Sequence, residues 1–155
     1  MNIQEGIEAL ETEFNEKIKA LKAEVQREDE FPQDGDEYWY IGTTGNVYDE
    51  NWEGFGFEEA ALEIGNVFKT KEQAEFAVEK LKVEAELRKF SRPFKDNDNN
   101  YYIELYIPDK TLSIDRSEYF KTQGTIYFES KEKAQQAIEA VGVERIKKYI
   151  FGVED

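Results

Sequence analysis

Large apolar residues recur through the first turns of the chain at Ile3, Ile7, Leu10, Phe14, Ile18, Leu21 and Val25, with gaps of 4, 3, 4, 4, 3 and 4. Most of them repeat after eleven residues, the period of three helical turns, so the stripe stays on one side of a nearly straight helix. Asn2 is placed to cap it, with Glu5 closing a capping box. A narrow apolar stripe on an otherwise charged helix points to self-association, and the expectation is a homo-oligomer formed through residues 2–27. Two eleven-residue repeats are too short for a stable coiled coil alone, and packing on the chain's own domain is the competing reading.

Residues 28–37 (EDEFPQDGDE) combine charge with Pro32 and Gly35 and read as a linker. Strand signals follow. Residues 38–41 lead through the turn Thr43-Thr44-Gly45 into a returning strand over 46–49, residues 51–56 read as a loop, and 64–69 as a third strand. Thr70 and Gln73 then open a helix reaching about Phe90. That helix is apolar on two sides, through Ala74, Ala77, Val78, Leu81 and Ala85 on one and Phe76, Val83, Leu87 and Phe90 on the other, so it is expected to be buried on both.

After a polar break the order returns: a strand over 101–107, a turn at Pro108-Asp109-Lys110, strands over 111–116 and 124–128, and a helix capped by Ser130 that stops at Gly142. A short helix over 143–150 follows. At an offset of 60, residues 70–84 and 130–144 share seven of fifteen residues, among them Lys71/Lys131, Ala74/Ala134 and Glu84/Glu144. An internal duplication accounts for this. The expected fold is α+β: an N-terminal helix (1–27), a linker (28–37) and two β-β-β-α units (38–92 and 101–155), forming one six-stranded antiparallel sheet with helices on one face.

Composition narrows the chemistry. Among 155 residues there is no Cys and no His, which excludes thiolate nucleophiles, disulfides, cysteine- or histidine-ligated metals and imidazole acid–base catalysis. No apolar run approaches a membrane span, and the start lacks the layout of a signal peptide, so a soluble cytoplasmic protein is expected. With 35 Asp+Glu against 20 Lys+Arg the net charge is -15, unfavourable for direct nucleic-acid binding.

Twelve of those fifteen net charges fall in residues 28–68, which hold twelve acids and no Lys or Arg. The segment is also rich in aromatics. Aromatic anchors within an acidic rim are the make-up of a surface for a basic partner. The candidate partner-binding residues are Trp39, Tyr48, Trp52 and Phe55 as anchors and Asp49, Glu50 and Glu53 as rim charges. A solvated acidic face over core aromatics is the plainer alternative.

Other motifs carry less. Asp96-Asn97-Asp98-Asn99-Asn100 begins like a calcium loop but has Tyr101 where the sharp turn needs Gly and Ile107 where the bidentate Glu belongs, so a polar connection is the reading. Gly54-Phe55-Gly56 lacks the rest of a phosphate loop. Asp49, Glu50 and Glu53 near Trp52 are the single carboxylate cluster that invites glycosidase chemistry, in a chain small for a substrate cleft. Arg88, Phe90, Arg92 and Phe94 supply planes and phosphate donors and form the candidate ligand site of an alternative function. No catalytic residue, metal ligand or cofactor is assigned, and a non-enzyme is expected.

At Gly65–Phe90 (GNVFKTKEQAEFAVEKLKVEAELRKF), preceded by Glu37–Trp52 and followed near the C-terminus by AIEAVGVERIKKYIFGV, the chain resembles a group of small acidic proteins encoded by phages and prophages of low-GC Gram-positive bacteria. The resemblance covers nearly the whole chain and implies a phage setting, with function by binding. The leading expectation is a phage-encoded protein that inhibits a host defence or nucleic-acid-processing protein by covering its basic surface. The alternative is an oligomeric sponge that sequesters a host immune nucleotide signal.

Overall fold

The computed structural model describes residues 2–154 as a mixed helix and strand protein. Helix α1 runs Ile3–Asp29 and carries the expected capping box: the Glu5 N–H donates to Asn2 Oδ1 at 2.8 Å, and the Asn2 N–H to Glu5 Oε2 at 2.9 Å. Strands β1 (Glu37–Ile41) and β2 (Val47–Asn51) pair antiparallel, with Tyr38 opposite Glu50, Trp39 opposite Asp49 and Tyr40 opposite Tyr48. Residues 33–36 are bonded into this hairpin, since Gly35 N–H donates to the Trp52 carbonyl and Trp52 N–H to the Asp36 carbonyl, both at 2.8 Å.

Helix α2 (Gly56–Glu63) follows, taking in the last residue of the loop expected over 51–56 and residues 57–63, to which the sequence pattern assigned no element. It ends at Gly65, whose φ of 76° lets the chain turn back while the Asn66 N–H reaches the Ala61 carbonyl at 2.8 Å. Helix α3 spans Lys71–Arg88, strands β3 (Asn100–Tyr106) and β4 (Thr111–Ser117) form the second antiparallel pair, and helices α4 (Lys131–Val141) and α5 (Val143–Tyr149) close the chain. Gly142, at φ 101°, makes the break between the last two.

The sheet differs from expectation. In place of one six-stranded sheet the described residues form two two-stranded sheets, and the strands expected over 64–69 and 124–128 shrink to single bridges, Phe68 with Trp39 and Phe128 with Tyr101. The physical reason is visible in the first case. The Asn66 side chain accepts from the Ile41 N–H at 2.7 Å and donates to its carbonyl at 2.9 Å, doing with one amide what a third strand would do with its backbone.

The described residues fall into two compact units. The first comprises α1, the β1–β2 strands, α2 and the chain to Lys71; the second comprises the turn Thr43–Asn46 and everything from Glu72 on. The second unit owns the larger core: Val83 and Leu87 of α3 pack with Phe128, Ala134, Ala137, Ile138, Val141 and Ile146, and Ile103, Leu112 and Ile114 of the β3–β4 sheet lie against them. Glu86 and Arg145 tie α3 to α5 through two hydrogen bonds of 3.0 Å.

Candidate functional site

Alternation along β1 and β2 sorts the side chains of the hairpin between its two faces. Tyr38, Tyr40, Tyr48 and Glu50 share one face. The Tyr40 and Tyr48 rings pair at 5.7 Å, and Tyr38 meets Trp52 edge-on at 5.5 Å. Trp39 and Asp49 lie opposite each other on the reverse face, where the Lys71 ammonium stands 5.7 Å from the centre of the Trp39 ring.

Helix α2 completes the site from the other side. Phe55 and Phe57 stack at 5.7 Å with their planes 27° apart, yet remain 52% and 70% exposed, two large apolar rings offered to solvent. Between them and the hairpin lies a cleft of about 340 Å³ lined by Tyr38, Tyr40, Glu50, Glu53, Phe55 and Phe57, with Glu58 at its base. The structure therefore gathers three of the seven predicted residues, Glu50, Glu53 and Phe55, on the cleft, with Tyr48 beside it. Trp52 is 6% exposed and sits in the interior of the unit, and Trp39 and Asp49 face the other way.

Sequence reasoning missed Tyr38, Tyr40, Phe57 and Glu58. Glu58 is the organising group. Only 2% exposed, it accepts the Tyr38 hydroxyl at 3.1 Å, the Phe55 N–H at 2.8 Å and the Glu53 N–H at 3.2 Å. Burial works to raise its pKa, and is outweighed by the N–H groups of Phe55, Glu53 and Gly54 and by the Tyr38 hydroxyl, which hold it below the usual carboxylate value. Tyr38 is pushed the other way, to about 12, by burial first and then by its hydrogen bond to and the charge of Glu58, with Glu50 and Tyr40 adding to it. Glu58 is thus a fixed anion that holds the loop from Glu53 to Phe55 by its backbone donors, while Glu50 and Glu53 project their charges to solvent.

The alternative ligand residues are placed differently. The Arg92 guanidinium is committed within its own loop, donating to Asn100 Oδ1 at 2.7 Å, the Asn99 carbonyl at 2.8 Å and the Pro93 carbonyl at 3.0 Å. Two oxygens of the calcium-like stretch, Asn100 Oδ1 and the Asn99 carbonyl, thus serve this guanidinium. Phe94 meets Tyr127 edge-on at 5.0 Å, and Phe90 packs against the second unit's core. Arg88 pairs with Glu84 at 3.3 Å and lines a cleft of about 150 Å³ with Leu87, Ile103, Ile126 and Ile150.

Comparison with protein-family models, with curated proteins and with solved structures returned no match. No helix among the described residues is long and apolar enough to cross a membrane.

Proposed function

We propose that this chain is a non-enzymatic binding protein that seats a cationic side chain, arginine above all, of a basic protein surface in the cleft between the β1–β2 hairpin and α2. The observation that carries the reading is the exposed Phe55–Phe57 stack standing beside Glu50 and Glu53. Nothing basic lies between residues 28 and 68 to satisfy those carboxylates within the segment. A planar guanidinium lies flat on an aromatic face while its N–H fork serves carboxylates, which a lysine ammonium does less well. Such a contact is worth about 0.5–2 kcal/mol, depending on how far the cation is desolvated.

A non-enzymatic role suits a site whose buried carboxylate is held ionised by several donors rather than poised to give up a proton. In the phage setting implied by the sequence resemblance, the partner is a host defence or nucleic-acid-processing protein whose basic surface is covered in the host cytoplasm. The same reading takes the two halves as descendants of one unit. In each, a hairpin is bridged by a phenylalanine, Phe68 or Phe128, two residues ahead of Thr70 or Ser130. The nucleotide sponge gains less support, because Arg92 Nη1 and Nη2 donate inside their own loop.

The test is an NMR titration of isotope-labelled protein with a blocked arginine peptide and its lysine counterpart. Shifts confined to Tyr40, Glu50, Glu53, Phe55 and Phe57, larger for arginine, support the proposal. Shifts spread evenly over the acidic surface, or equal for both peptides, overturn it.

A further inference from the structure

The apolar stripe of α1 is left open within its unit: Ile3 is 85% exposed, Leu10 68%, Phe14 64%, Leu21 62% and Val25 59%. The spacing of the stripe is symmetric. The gaps of 4, 3, 4, 4, 3 and 4 read the same in either direction, with Phe14 at the centre. Ile3 and Val25 stand eleven residues to either side of it, Ile7 and Leu21 seven, Leu10 and Ile18 four. Reversing the helix about Phe14 therefore returns the same set of apolar levels.

We infer that α1 pairs antiparallel with α1 of a second copy, about a two-fold axis passing beside Phe14. On this register Phe14 meets Phe14 and Ile3 stands level with Val25 of the other copy. The off-centre rows also match. With eleven residues per three turns, Ile7 and Ile18 form a row on one side of the centre and Leu10 and Leu21 a row on the other. A two-fold that reverses the helix brings each row against itself, isoleucine on isoleucine and leucine on leucine.

The nearest charges across the pair favour this orientation over the parallel one. Glu11 and Lys22 flank the stripe on one side, Gly6 and Lys17 on the other. The antiparallel pair brings Glu11 of one copy towards Lys22 of the other, about 7–8 Å apart along the axis at the helical rise. The parallel pair would instead set Lys22 against Lys17 at that offset and Glu11 towards Lys17 at about 9 Å, whereas the antiparallel pair leaves its like-charge pairs, Glu11 with Glu11 and Lys17 with Lys17, at about 9 Å. Lys17 is itself paired with Glu13 at 2.7 Å. A helix of 27 residues is long enough to present all seven levels at once. The inference is independent of the cleft and its ligand.

The chain contains no cysteine, so introduced thiols are unique. An equimolar mixture of the full-length Ile3→Cys and Val25→Cys variants, left to oxidise in air, is expected to give a disulfide-linked heterodimer, while Ile3→Cys alone stays unlinked. Linking of Ile3→Cys to itself overturns the antiparallel register. Sedimentation of the unmodified chain is expected to show a dimer in the micromolar range. A monomer or a larger assembly there overturns the pairing. Phe14→Glu and Phe14→Lys, at an exposed position, should each weaken the dimer about 100-fold and recover most of it when mixed; no recovery contradicts an axis at residue 14.

Discussion

Tyr38 and Glu58, twenty residues apart on β1 and α2, meet with the phenolic oxygen 3.1 Å from the carboxylate. This contact joins hairpin to helix and sets the back of the cleft. Its two ends are not equivalent. Tyr38 makes one hydrogen bond to Glu58, whereas Glu58 also accepts the backbone donors of Phe55 and Glu53.

The asymmetry predicts the mutants. Tyr38→Phe removes a donor from an acceptor that keeps two others, and should cost about 1 kcal/mol in chemical denaturation. Glu58→Ala strands several donors and should be clearly more destabilising than Tyr38→Phe, with loss of arginine-peptide binding as the Phe55 loop shifts. Equal costs for the two would contradict the role assigned to Glu58.

The pH dependence has two arms of opposite sign. Glu58, lowered when folded, contributes stability present above its unfolded value and lost as pH falls through the folded one. Tyr38, raised from 10.0 to about 12, contributes stability present below 10.0 and lost as pH rises towards about 12. Thermal melts across acid and alkaline series should therefore fall at both ends. Ultraviolet titration of tyrosinate should show Tyr38→Phe removing a late-ionising group.

Asn100 is 0% exposed and uses its whole side chain: Oδ1 accepts from Arg92 and Lys95, and Nδ2 donates to the carbonyls of Lys95, Asp98 and Ser117. Asn100→Ala should cost about 3 kcal/mol, since it leaves buried donors and acceptors unpaired. Asn100→Asp should also destabilise, because it keeps the acceptor but loses the donor to three carbonyls. Denaturant unfolding measures both; near-neutral values would contradict the hub.

Gly6 stands in the interior of α1 with open space around its Cα. Gly6→Ala should stabilise the helix by about 1 kcal/mol and raise its helicity by circular dichroism. A loss of helicity would mean that the position is crowded.

The regular elements were legible where local chemistry and pattern agreed. The capping box of Asn2 and Glu5 and the spacing from Ile3 to Val25 announce α1, and alternation announces both hairpins. Helix α2 was hidden because Gly54 and Gly56 look like a loop, and because its start is held by Glu58 reaching back to backbone donors rather than by a Ser or Thr cap. The third strand expected over 64–69 was over-read because Asn66 replaces a ladder with one side chain, which no alternation pattern reveals. For the site, the acid and aromatic content of residues 28–68 pointed to the segment that holds the cleft. Only the register separated Tyr48 and Glu50 from Trp39 and Asp49, and only folding sent Trp52 inside while leaving Phe55 and Phe57 out.

In the proposed complex aromatic rings, and not net charge alone, hold the cation. The most direct measurement compares the affinity of the arginine peptide for the unmodified protein and for Phe55→Ala/Phe57→Ala, which leaves every charge in place, at low and high salt. The variant should lose about two- to thirtyfold in affinity, with the salt dependence retained. Equal affinities at both salt concentrations would contradict this, and would reduce the acidic cleft to a solvated face.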